Sequence, residues 1–138
     1  MRILVDSCVW SAVLRRGSLA SDPVRIEMVR LIEEGCVELI GPVRQEILSG
    51  VRTESQFHSL REALELFPEI DIRSEDFVEA ARLYNLCRSR GIQGSGTDFV
   101  ICAVAIREHV PVFTVDADFE RYAQVFSLPL HRVGSRLG

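Results

Sequence analysis

Arg2-Ile-Leu-Val-Asp6 says most about the fold class. Three apolar residues in succession, bounded by charges, suit a central parallel strand covered on both faces; a strand with one wet face would alternate. The run ends directly on an aspartate. The same form returns at Val112-Phe-Thr-Val-Asp116, again a short apolar run closed by an acid. Two such strands, far apart in the chain and each followed by a helical pattern, point to a parallel α/β sheet with both acids at its carboxyl edge, where open sheets of this kind bind ligands.

Outward from these two strands, hydrophobic runs and breakers alternate in a βα rhythm, with no repeat, low-complexity tract or linker. A helix is predicted over about Ser7 to Leu14. Asp22-Pro23 sets a capping side chain before a proline at the first helical position, and Gly35 closes a helix with apolar residues at 26, 28, 29, 31 and 32. Cys36 to Ile40 reads as a strand, Gly41-Pro42 as a break, and Val43 to Leu48 as a short helix. A helix near Glu54 to Phe67, a strand at Glu69 to Ile72 and a helix from Glu75 to Arg90 with Ser74 as its cap follow. Beyond a glycine-rich connection, Gly91 to Gly96, come a strongly apolar helix from Thr97 to Glu108, the strand at Val112 to Val115, a helix from Phe119 to Phe126 and a strand near Leu130 to Val133. The Gly91 to Gly96 segment follows a helix and lacks the G-x-G-x-x-G order, so it reads as a flexible connection and not as a phosphate cradle.

At 138 residues the chain is expected to form one domain, residues 1–138, with a core that requires no metal or disulfide staple. No stretch approaches the ~18 to 20 apolar residues of a membrane span, and the N-terminal apolar run is too short for a signal peptide, so a cytoplasmic location and no membrane association are expected. Cysteines 8, 36, 87 and 102 are scattered, with neither a C-x-x-C pair nor zinc spacing to His58, His109 or His131. They read as buried free thiols. The net charge of −4 argues against a broad basic surface tracking nucleic acid, though not against a local site. All sixteen basic residues are arginine, which excludes mechanisms that require lysine.

Four acids are candidates for one site. The helix from Thr97 must run antiparallel to the strand it feeds, bringing Asp98 in its first turn to the same edge as Asp6 and Asp116. Glu46 reaches that edge only if its helix leaves a strand close to theirs. Each acid has a plain structural alternative: a helix cap for Asp6, a dipole contact for Asp98, an Asx-turn for Asp116 and Asp118, a solvated helix face for Glu46. Several carboxylates in one cleft repel one another unless a cation joins them. Oxygen donors alone suit Mg²⁺ or Mn²⁺ and disfavour zinc. One ion or two, the latter about 3.5 to 4 Å apart, would serve phosphodiester hydrolysis.

At these positions the sequence resembles the PIN-domain nucleases, and within them the VapC-type toxins of toxin/antitoxin pairs. Ile3-Leu-Val-Asp-Ser-Cys-Val-Trp10 resembles the opening block, Pro42-Val-Arg-Gln-Glu-Ile-Leu-Ser-Gly50 the second, Gly96-Thr-Asp-Phe-Val-Ile-Cys-Ala103 the third and Val112-Phe-Thr-Val-Asp-Ala-Asp-Phe119 the fourth. Four blocks in order over nearly the whole chain carry more than any one of them. The resemblance implies a PIN-like three-layer α/β/α fold with a five-stranded parallel sheet in the order 3-2-1-4-5. It implies a Mg²⁺- or Mn²⁺-dependent endoribonuclease that leaves 5′-phosphate and 3′-hydroxyl ends. Asp6, Glu46, Asp98 and Asp116 would be catalytic; Asp6, Asp98, Asp116 and the auxiliary Asp118 would hold metal, with Ser7 and Thr114 in support. A homodimer and a small antitoxin across the active site are implied as partners. Cys8 and Cys102 depart from the family pattern.

Two further features stand outside the four blocks. The Ser7 to Leu14 helix is apolar nearly all round, so part of it faces a partner or it is a fully covered core helix. Trp10, Arg15, Arg16, Arg88 and Arg90 are candidate contacts for RNA or antitoxin, with solvated charge the alternative for the arginines. The rival functions are a catalytically inactive binding module on the same scaffold and an aspartate-based phosphoryl-transfer domain. The absence of lysine, and of a second aspartate two residues beyond Asp6, weighs against the last.

Overall fold

The structure, a computed structural model, describes residues 1–14 and 19–133. Its elements run β1 (Ile3–Val5), α1 (Ser7–Leu14), α2 (Pro23–Glu33), β2 (Val37–Glu38), α3 (Gly41–Leu48), α4 (Glu54–Leu64), α5 (Ser74–Ser89), α6 (Gly96–Glu108), β3 (Val112–Phe113), α7 (Asp118–Tyr122) and β4 (Leu130–His131). The four strands are parallel and ordered β2-β1-β3-β4. β1 is central, paired through Ile3 with Val37 and through Val5 with Phe113. Ile3, Leu4 and Val5 are all fully buried. Because successive side chains point to opposite faces, helices must cover both sides of the sheet.

The expected fifth strand at Glu69–Ile72 is reduced, among the described residues, to one parallel bridge between Leu39 and Glu69. Leu39 N donates to Pro68 O at 3.0 Å and Ile70 N to Leu39 O at 2.8 Å. α3 begins at Gly41, so only Leu39 and Ile40 lie between β2 and the helix, and Leu39 alone makes the bridge. This segment lies outside β2, and the order 3-2-1-4-5 is kept with its first member shortened to a bridge.

The caps follow local chemistry. Asp22 accepts from Val24 N at 2.8 Å ahead of Pro23, and Gly35 leaves α2 with φ +70°, a conformation that favours glycine. Ser74, expected to cap α5, is instead its first helical residue; Asp76 reaches back to accept from Arg73 N at 2.8 Å. α2 also presents an unexpected face. Met28 and Leu31 are buried but Ile26, Val29 and Ile32 are exposed, while Glu27 is buried. The Glu27 carboxylate takes both Arg30 Nε and Nη2 at 2.8 Å and meets His131 Nε2 at 2.5 Å, tying α2 to the edge strand β4. The hydrogen bonds from Arg30, which contribute most, and the contact with His131 hold Glu27 below the usual carboxylate range.

Candidate active site

Asp6 leaves β1 at the carboxyl edge and is 5% exposed. Its Oδ1 accepts from Ser7 N at 2.8 Å, so the capping role and a place in the site coincide. Its Oδ2 accepts from Thr114 Oγ1 at 2.9 Å, and Cys8 Sγ lies 3.2 Å from the same oxygen. Thr114 immediately follows β3, the strand paired with β1, which is why residues so distant in sequence meet. The Thr114 hydroxyl also accepts from Asp116 N at 3.0 Å, and Asp116 Oδ1 accepts from Asp118 N at 2.9 Å, the expected Asx-turn. Local backbone bonds therefore aim the acids.

Asp98 stands in the first turn of α6. Ser95 caps that helix, its Oγ accepting from Asp98 N at 3.1 Å. The Ser95-Gly-Thr-Asp98 spacing carries the S-x-x-D signal that would have found this cap in the sequence. On its other side, Asp98 Oδ2 accepts from the hydroxyl of Tyr122 at 2.7 Å. Tyr122 lies in α7 and escaped the sequence reading. Nothing in its local pattern distinguishes it from a core aromatic.

These elements border a cleft of about 520 Å³ lined by Asp6, Cys8, Glu46, Thr97, Asp98 and Asp116 among others. Asp98, Asp116 and Asp118 each offer a carboxylate oxygen within 4.8 Å of the other two. Asp6 and Glu46 line the cleft without joining that trio; Glu46 is exposed on α3. Asp118 also carries an ion pair, Arg121 Nη1 donating to its Oδ1 at 2.5 Å. Burial raises the Asp98 carboxyl above its ordinary range; the bonds from Tyr122 and Ser95 oppose this, and the charges of Asp6 and Asp116 add to it. Burial and the Asp6 charge push the Cys8 thiol up to about 11, so at neutral pH and without metal it is a protonated thiol. What remains is a set of hard oxygen donors with mutual repulsion, which fits Mg²⁺ or Mn²⁺.

The fold is shared with known proteins. Residues 3–125 match the PIN domain profile. The chain belongs to the PIN-domain family. Ribonuclease VapC11 of Mycobacterium tuberculosis is 30% identical over 131 residues, covering 91% of this chain and 95% of the relative. Among solved structures, FitAB bound to the IR36 DNA fragment superposes with a TM-score of 0.75 at 20% identity, covering 99% of this chain and 98% of that one. VapBC2 of Rickettsia felis, bound to a DNA fragment from its promoter, gives 0.73 at 17% identity, covering 95% and 98%. At those identities the likeness establishes the PIN fold.

The remaining candidate residues of this PIN domain divide by accessibility. Ser7 is buried at the start of α1. Trp10, expected to contact RNA or antitoxin, is 4% exposed and packs edge-on against Phe67 at 5.1 Å, making it a core residue in this structure. The expected partner-facing part of α1 reduces to Ser11 and the half-exposed Leu14. Arg88 is exposed and sits over the Tyr84 ring at 5.6 Å; Arg90 is exposed at the end of α5. Arg15 and Arg16 lie outside the described residues. None of the described helices is long and apolar enough to cross a membrane.

Proposed function

We propose that this chain is a metal-dependent endoribonuclease acting in the cytoplasm as the toxin of a toxin/antitoxin pair. The observation that carries the reading is the Asp98, Asp116 and Asp118 trio in a cleft shared with Asp6 and Glu46, in a domain of VapC type. Asp98, Asp116, Asp118 and Asp6 are the residues that would hold Mg²⁺ or Mn²⁺. When bound, such an ion supplies positive charge at the scissile phosphate and acidifies a water.

The chain's own residues supply the rest. Thr114 and Ser7 N fix the Asp6 carboxylate, Tyr122 fixes that of Asp98, and Ser95 caps the helix that carries it, so little reorganisation is needed when RNA arrives. Glu46, on the cleft wall outside the trio, takes the proton of the attacking water. Attack of that water at phosphorus forms the new P–O bond as the bond to the 3′ oxygen breaks, and the 3′ oxygen takes a proton from solvent water to leave as a 3′-hydroxyl beside a 5′-phosphate. The protein is a homodimer and its activity is held in check by a small antitoxin. Support for the antitoxin comes from the VapBC2 likeness and from a groove lined by Ser11, Leu14, Ile47, Val51, Arg52 and Leu60, beside the exposed end of α1.

Structured RNAs incubated with purified protein and Mg²⁺ or Mn²⁺ test the activity, beside Asp98→Asn and an EDTA control. Cleavage in the wild type alone, abolished by chelation, is expected. Cutting that persists in both controls would sink the metal-nuclease reading. RNA binding by wild type without cutting would favour the inactive binding module.

A further inference from the structure

We propose that Tyr122 is a positioning residue of the nuclease site, its hydroxyl holding the Asp98 carboxylate in the orientation that accepts the cation, and that Gly94 exists to make room for it. This rests on the reading of Asp98 as a metal ligand. Tyr122 is fully buried. A phenol that leaves water requires a partner for its O–H, and here that partner is Asp98 Oδ2 at 2.7 Å. The ring has little freedom to offer the hydroxyl elsewhere. It packs against Phe99 with centroids 4.7 Å apart and against Phe119 at 5.2 Å, both of them buried. Phe99 directly follows Asp98 on α6, and Phe119 lies three residues before Tyr122 on α7. The aromatic cluster thus couples the helix that carries Asp98 to the helix that begins at Asp118, the two neighbours in the carboxylate trio.

The glycine-rich connection before α6 supplies the second, independent observation. A Cβ at Gly94 would run into the Tyr122 hydroxyl, lying 2.6 Å from Tyr122 Cζ and 2.9 Å from Phe99 Cε2. Any other residue at position 94 would force either the phenol or the loop backbone to shift. The segment's composition is therefore tied to the site, in addition to joining two helices. One hydrogen bond at Oδ2 fixes the carboxylate while leaving its other oxygen free for a cation. Groups that hold a ligand in this way typically contribute 10- to 100-fold to metal affinity or activity.

The test uses the full chain and Mn²⁺ alone as probe, free ion being read by electron paramagnetic resonance, with RNA cleavage measured in parallel across Mn²⁺ concentration. Tyr122→Phe keeps the ring and removes the hydroxyl. It is expected to stay folded with a modestly lowered melting temperature, to bind Mn²⁺ roughly 10-fold more weakly, and to need correspondingly more Mn²⁺ for half-maximal cleavage, with KM for RNA unchanged. Gly94→Ala, which retains the phenol but denies it its place, is expected to weaken Mn²⁺ binding in the same direction. Asp98→Asn separates the two readings. If it loses Mn²⁺ binding while a folded Tyr122→Phe binds and cleaves as wild type does, the positioning role is overturned and the metal site stands. If Asp98→Asn binds Mn²⁺ as tightly as wild type, Asp98 is no ligand and both readings fall.

Discussion

Thr114 Oγ1 donates to Asp6 Oδ2 at 2.9 Å, locking together the carboxyl ends of two neighbouring strands. The same oxygen accepts from Asp116 N, so one hydroxyl serves the carboxylate of one acid and the backbone of another. Thr114→Val preserves the shape of the side chain and removes both bonds. Cleavage is expected to fall by roughly 10- to 100-fold, with a stability loss of about 1 kcal/mol. RNA cleavage beside urea unfolding checks the pair of effects; a loss of stability with undiminished activity would contradict the role assigned to Thr114.

Asp98 should make the metal-free protein less stable than it need be. Its folded carboxyl titrates above the ordinary value, chiefly through burial, so folding disfavours its ionised form relative to the unfolded chain. That stability is fully present below the unfolded value, about 3.9, and is lost as pH rises through the raised folded one. In EDTA at pH 7, Asp98→Asn is therefore expected to melt higher than wild type, with the gap closing in acid. Added Mn²⁺ should raise the melting temperature of wild type and leave the variant unmoved. Melting curves at several pH values, with and without metal, decide the matter.

Asp76 has the opposite sign. Buried at the start of α5, it takes Arg107 Nε at 2.8 Å and Nη2 at 2.9 Å, and this pairing holds its carboxyl below the usual range. Its stabilisation is complete above the unfolded value near about 3.9 and is lost as pH falls through the lower folded one. Asp76→Asn should cost about 3 kcal/mol at pH 7, by denaturant unfolding, and progressively less below pH ~4. A constant cost across that range would show that the charge is not what matters.

The Cys8 thiol, raised to about 11 by burial and by Asp6, should react sluggishly despite lining the cleft. At pH 7.5 its thiolate fraction is on the order of 100-fold below that of an ordinary cysteine. Cys36, Cys87 and Cys102 are buried. Disulfide-exchange reagents should therefore label the native protein slowly and all four cysteines rapidly after denaturation. A fast single-thiol phase in the native state, lost in Cys8→Ser, would contradict this.

Short-range rules govern the part of this protein that is legible in its amino-acid order. A continuous apolar run closed by an acid announced β1 with Asp6 and β3 with Asp116, and the need for a helix to return across the sheet brought Asp98 to the same edge. Tertiary structure decided which groups meet. It drew Asp118 into the trio with Asp98 and Asp116 and left Glu46 on the cleft wall. It sank Trp10 into the core, buried Glu27 against His131 some hundred residues away, and brought the Tyr122 hydroxyl to Asp98 through the gap at Gly94. Periodicity reports the faces of one element; the partner that a buried hydroxyl or carboxylate finds depends on how distant elements pack, and desolvation then makes that partner obligatory.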